Sequence, residues 1–247
     1  MKNSQSRTKI LGFNLDLIDM RQATEKIKQS IMNRQQLQVV TLNAEMVYQA
    51  WHNPELKSII NQAPLIVPDG IGVVWAARQF GARITERVTG IDLLLSLCQE
   101  AASHQWKIFL LGAQPGVAER AGKKLQEQFP GLIIGGTIDG YFSAREEPEI
   151  IEKIRQSQPD IIFVALGFPK QELWIAKNQD KLGATVSIGI GGSLDVISGN
   201  KKRAPQFFIK HNLEWLYRLI DDPGRFKRQL VLPAFVLLVL KHKYLNK

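Results

Sequence analysis

Asp69 closes the short apolar run Leu65, Ile66, Val67, and it is followed at once by the flexible Gly70 and a helical-looking stretch to Arg78. A carboxylate at such a turn has two readings. It is a helix cap, since Asp is favoured in that position, or it is a general base at the mouth of a sheet. The same arrangement recurs along the chain. Thr41 and Asn43 close "VVTLN"; Gly112, Gln114 and Gly116 follow "IFLLG"; Lys170, Gln171 and Glu172 follow "VALG" in "GFPKQE"; Gly191, Gly192 and Asp195 follow "SIGI" in "GGSLD". One polar residue at one strand end means little. Five such loops on one edge would make a site.

Each loop has its own chemistry. "GAQPG" resembles a phosphate-cradling turn, in which backbone N–H groups and a helix start face an anion; it lacks the spacing of a dinucleotide fingerprint or P-loop, and an ordinary strand–helix turn fits it equally well. Gly191 and Gly192 permit close backbone approach to a ligand, while Asp195 fits a brace for the following turn. Lys170 stands at a predicted helix start, where a cation opposes the helix dipole; a ligand or acidic partner would explain it, and so would a solvated first turn. Arg87 in "ERVTGID" is a surface charge or a diphosphate clamp, and spacing does not choose between them. No Asp-x-Asp triplet occurs, so bound phosphates would have to be neutralised by protein cations and N–H groups.

The elements that would position these residues alternate. After a hairpin-like start, "TKILGFNLDLID", a helix is predicted over 20–33, then strand "LQVVTLN", helix "AEMVYQAW", the Asp69 strand, and a helix over 90–103 capped by Thr89. Strand "KIFLLG", helix "PGVAERAGKKLQEQF" with Pro115 near its first turn, and strand "LIIGGTI" follow. Helix "EEPEIIEKIRQS", strand "DIIFVALG", helix "KQELWIAKNQ" and strand "TVSIGIGG" complete the series. Short apolar strands alternating with amphipathic helices predict an α/β fold, a mostly parallel, Rossmann-like sheet with helices on both faces. Ligands in such sheets bind beyond the carboxyl ends of the strands.

Composition bounds the rest. With 247 residues, 45% of them hydrophobic and 22% charged, the chain fits one large domain or a domain with an appendage. Its single Cys98 excludes an internal disulfide, and the four scattered histidines form no metal pair with it. The polar start "MKNSQSRTKI" has no apolar run of a signal peptide, so a cytoplasmic chain is expected. The net charge of +9 sits at one end: from residue 199 onward there are 11 Lys/Arg against 3 Asp/Glu. The division expected is therefore a catalytic core over 1–198 and a basic, apolar, helical appendage over 199–247. Within it, the 230–240 run of 11 apolar-rich residues is short beside the roughly 20 that a spanning helix needs. Basic residues bracketing apolar and aromatic ones suit a segment lying in an anionic membrane interface. A helix packed on the core and a subunit contact are the other readings, and a homo-oligomer stays open. Nucleic acid is disfavoured, because "VLPAFVLLVL" offers nothing to a phosphate backbone.

The motifs "TLNAEMV", "VPDGIGVVWAAR", "ERVTGIDL", "LLGAQPG", "ALGFPKQELWI", "GIGGSLDVISGNKKRAP" and "LEWLYRLIDDPGRFKRQ" occur in that order from about Thr8 to Gln229. Together they resemble the WecG/TagA/CpsF family of bacterial glycosyltransferases. The resemblance implies inverting, metal-independent transfer of a sugar, N-acetylmannosamine or a related hexose, with no cofactor. The donor would be a UDP-sugar and the acceptor a GlcNAc-diphosphate-polyprenol, in cell-wall, teichoic acid or other surface-polysaccharide synthesis. It implies that Asp69 is the base, that Thr41 and Asn43 lie near the donor sugar, and that Arg87 and Gln171 belong to the active site. It also implies that Arg218, Arg225 and Arg228 serve membrane targeting and closure over the lipid diphosphate, on the inner face of the cell membrane. This chain runs past that pattern into "LVLPAFVLLVLKHKYLNK", a longer apolar–basic end. A non-catalytic nucleotide-sugar binder at the membrane, or a UDP-sugar hydrolase or epimerase, would share the glycine loops.

Overall fold

The structure, a computed structural model, describes residues 7–221 and 230–245. Among the described residues eight strands are formed: β1 (Arg7–Ile10), β2 (Phe13–Asp16), β3 (Leu37–Leu42), β4 (Leu65–Pro68), β5 (Lys107–Gly112), β6 (Ile133–Ile138), β7 (Ile161–Ala165) and β8 (Val186–Gly189). β1 and β2 make the expected antiparallel hairpin, a sheet of their own. The other six form one parallel sheet in the order β4-β3-β8-β7-β5-β6. Every residue of β3, β4, β7 and β8 is buried. The continuous apolar runs of β4 and β7 are what a sheet covered on both faces favours, while β3 and β8 also bury Gln38, Thr41 and Ser187.

The helices between them are α1 (Met20–Met32), α2 (Ala44–Trp51), α3 (Pro54–Gln62), α4 (Ile71–Gln79), α5 (Gly90–His104), α6 (Val117–Gln128), α7 (Glu147–Ser157), α8 (Lys170–Asn178) and α9 (Ser193–Ser198). Alternation along the strands separates two core faces. Val39, Val67, Leu110, Phe163 and Ile188 pack with residues of α1, α5 and α6. On the opposite face, Val40, Leu42 and Ile66 pack with α2, α3 and α4, while Phe109, Ile162 and Val164 pack with α7 and α8.

Thr89 caps α5 as expected, its hydroxyl accepting from the Asp92 N–H. Two boundaries differ. Asn43 lies outside β3 and is the N-cap of α2, and α6 begins at Val117 with Gly116 at its cap, so Pro115 precedes the helix. α3 was not anticipated.

The C-terminal part supplies α10 (Gln206–Lys210), α11 (Glu214–Asp221) and α12 (Val231–Leu245). α12 packs one face on the core: Phe235 and Val239 are fully buried among residues of α2 and α4. His242 stands edge-on to Trp51 and Phe80, at 5.7 and 6.2 Å between centroids, and Lys243 Nζ donates to Gln79 Oε1. Its other face leaves Leu237 68% and Tyr244 64% exposed. The core-packed reading of this run therefore holds for one face. Among the described residues no helix is long and apolar enough to cross a membrane.

Candidate active site at the carboxyl edge of the sheet

Because all six strands run the same way, their carboxyl ends lie on one edge, and the predicted loops are ordered by the sheet. From the β4 end come Asp69, then Thr41 and Asn43 after β3, then the 189–192 loop after β8, then Lys170 and Gln171 after β7, and last Gly112, Gln114 and Gly116 after β5. Strands stand about 4.8 Å apart, so the first and last of these loops are about 19 Å from each other. The site is a row of loops along an edge. From β7 the chain crosses to β8 on one side, and from β5 it crosses to β6 on the other. The crevice opened by that divergence is the usual ligand position in an open α/β sheet.

At the β4 end, the Asp69 N–H donates to the Leu42 carbonyl at 2.8 Å, which fixes the acid beside the end of β3. The cap position of α4 is occupied by Gly70, one residue further on. Thr41 is buried and donates its hydroxyl to the Gly189 carbonyl at 3.1 Å, tying β3 to the start of the glycine loop. Asn43 Oδ1 accepts from Met46 N as the α2 cap; what it can offer a ligand is its amide NH2. Val88 N–H donates to the Pro68 carbonyl at 2.8 Å, so the preceding Arg87 is brought to the residue before Asp69. The Arg87 guanidinium is paired with Glu214 of α11 and donates to the Ile209 carbonyl. With side chains only 16% and 13% exposed, Arg87 and Glu214 join the core to the C-terminal segment at the site.

At the middle of the row, Gln171 is 3% exposed and Glu172 1%. Gln171 Oε1 accepts from the Gly191 N–H at 3.0 Å, and its Nε2 donates to Glu172 Oε1 at 2.8 Å. Burial pushes the Glu172 carboxyl up from 4.5 to about 7, against the opposing effect of the Gln171 hydrogen bond. Lys170, the first residue of α8, is exposed. At the far end, Gly112 has φ +124°, and a Cβ there would lie 2.5 Å from the Ala165 carbonyl group, so only glycine lets β5 and β7 approach this closely. Gln114 and Gly116 are exposed beyond it. Arg225 and Arg228 lie outside the described residues, as does the side chain of Arg218. No cluster of three His, Cys, Asp or Glu suited to a metal ion occurs among the described residues.

The edge thus brings Asp69, Thr41, Asn43, Arg87, Gln171 and Gly191 together through direct bonds or adjacent strands, and "GAQPG", at the end of β5 next to β7, continues the row past Gln171 as the other wall of the crevice. Sequence reasoning missed Glu172 as a buried group, Gly189 as the point where three side chains meet, and Glu214 as the partner of Arg87. The signal for Glu172 was its first-turn place beside Gln171.

Residues 8–247 match the sequence profile of the glycosyl transferase WecG/TagA/CpsF family. The chain is 42% identical over 205 residues to an N-acetylglucosaminyldiphosphoundecaprenol N-acetyl-beta-D-mannosaminyltransferase of Bacillus spizizenii, covering 83% of this chain and 79% of that one. It is 37% identical over 244 residues to the protein of the same name from Staphylococcus aureus strain NCTC 8325, covering 98% and 95%. A profile match along nearly the whole sequence and relatives at this identity over four fifths or more of the chain lead to one statement: the chain belongs to the WecG/TagA/CpsF family of glycosyltransferases.

Proposed function

We propose that this protein transfers a hexose, N-acetylmannosamine first among the candidates, from a UDP-sugar to a GlcNAc-diphosphate-polyprenol acceptor, with inversion and without a metal. The observation that carries the reading is the carboxyl edge, where Asp69 stands beside Thr41 and Arg87 in a chain whose relatives bear that substrate in their names. Asp69 takes the proton of the acceptor hydroxyl as that oxygen forms its bond to the anomeric carbon. The bond from that carbon to the diphosphate breaks in the same displacement, and UDP leaves with the electron pair. Arg87 and the N–H groups of the glycine loops stabilise the departing charge. Thr41, Asn43 and Gln171 orient the donor, with Lys170 and the loops at Gly112, Gln114, Gly116, Gly191 and Gly192 lining its path.

The exposed apolar face of α12, with Leu237 and Tyr244, and the exposed Lys241 on the same helix meet an anionic membrane surface from the inner side. Arg218, Arg225 and Arg228 are assigned to recognition of the lipid diphosphate, as the family resemblance implies. Holding the enzyme at the surface raises the local concentration of its lipid acceptor. The experiment is a panel of UDP-sugars with a GlcNAc-diphosphate-lipid analogue. The expected result is an acceptor-dependent disaccharide product, with UDP-N-acetylmannosamine the best donor. UDP release that is equally fast without acceptor would replace transfer with hydrolysis.

A further inference from the structure

The Glu172 carboxyl has no role in the displacement described above, yet it lies under the middle of the active edge. Its Oε1 accepts from Gln171 Nε2 at 2.8 Å, and its Oε2 is buried without a protein partner among the described residues. Both side chains occupy the space that residue 189 leaves by being glycine. A Cβ there would stand 2.5 Å from Gln171 Nε2 and 2.9 Å from Glu172 Oε1. The Gln171 amide has two ends, and only one orientation is useful. With its oxygen toward Gly191 it accepts that N–H at 3.0 Å; reversed, it would set its NH2 against the N–H, donor against donor. The ionised carboxylate can only accept, and the protonated acid keeps an accepting carbonyl oxygen, so an accepting Glu172 Oε1 pairs with the Gln171 NH2 and favours the first orientation.

We infer that Glu172 is a positioning residue, whose buried carboxyl locks the Gln171 amide so that its oxygen holds the Gly191 N–H and, with it, the glycine loop that faces the donor. The chain of contacts runs from Glu172 through Gln171 to Gly191, and the same loop is tied to Thr41 through the Gly189 carbonyl. The inference rests on the proposed transferase reading for its kinetic consequence, but not for its structural one.

Four variants test it: Gln171→Ala, Glu172→Met, which keeps the volume and removes the acceptor, Glu172→Gln, which keeps an acceptor oxygen, and the double variant Gln171→Ala with Glu172→Met. Sugar transfer and hydrogen exchange at the Gly191 amide are both followed. Expected are losses of about 10- to 100-fold in kcat/KM for Gln171→Ala and for Glu172→Met, from a buried polar contact left unmade. The double variant should lose no more than the larger of these, because both act through one contact. Glu172→Gln should stay within about threefold of the parent, as a retained acceptor allows. Gly191 exchange should quicken about tenfold or more in Glu172→Met and stay unchanged in Glu172→Gln. Equal behaviour of the Met and Gln variants, or losses that multiply in the double variant, would overturn the assignment. Should the parent protein transfer no sugar while Gly191 exchange still follows Glu172, the transferase reading fails and the positioning role stands.

Discussion

Glu172→Gln has a second consequence, in stability, that can be worked out from burial alone. The carboxyl lies 1% exposed and titrates in the fold at about 7 instead of 4.5. Because the folded state holds this proton more tightly than the unfolded chain does, protonation favours the fold. The contribution is fully present below about 4.5 and is lost as pH rises through about 7. The distance between those values corresponds to about 3 kcal/mol at the rate of about 1.4 kcal/mol per tenfold change. An amide at this position is neutral at every pH and has no such dependence. The difference in unfolding free energy between Glu172→Gln and the parent, measured by urea denaturation, should therefore shift by about 2–3 kcal/mol in favour of the variant between pH 5 and pH 8. Taking the difference cancels the titration of every other group. A difference that is the same at both pH values, or that moves toward the parent as pH rises, would refute a buried carboxyl at this point.

Two further substitutions probe the frame that carries the site. Gly112→Ala should destabilise the fold by about 1–3 kcal/mol from backbone strain alone. The added Cβ, 2.5 Å from the Ala165 carbonyl group, then adds to that cost; a loss under about 0.5 kcal/mol in denaturant titration would deny the close β5–β7 approach. Phe235→Ala should cost about 3–5 kcal/mol because the ring is fully buried against α2 and α4. Leu237→Ser, on the exposed face of the same helix, should change stability little, and equal effects of the two would mean that α12 does not dock by this face.

Local pattern and long-range pairing contributed differently to these elements. β4 and β7 were readable because a strand buried on both faces is mostly apolar, and "LIVP" and "IIFVA" are apolar throughout; β3 and β8 were readable from β-branched and aliphatic residues around the buried Gln38, Thr41 and Ser187. Asp69, Thr41 and Asn43 were readable as strand-end residues for the same reason. The strand order was not: nothing in "VSIG" says that β8 lies between β3 and β7, yet that order is what lets Thr41 reach Gly189 and Gln171 reach Gly191. Glu172 looked like an ordinary acid in a first helical turn, favoured there by the dipole; its burial depends on a glycine in a distant strand. α3 did carry local signals, Asn53 as a cap and Pro54 as the first helical residue. The run over 230–240 is apolar on nearly every side, so periodicity could not say which face meets the core. Phe235 and Val239 against Gly72, α2 and α4 decide that only in three dimensions.

The most direct measurement is Asp69→Asn, with UDP-sugar binding and sugar transfer to a GlcNAc-diphosphate-lipid analogue determined on the same preparation. The carboxylate at the β4 end is proposed to accept the acceptor's proton, so donor affinity should be kept while transfer falls about 10²–10⁴-fold. Transfer by Asp69→Asn at the parent rate would contradict the proposed mechanism at its centre.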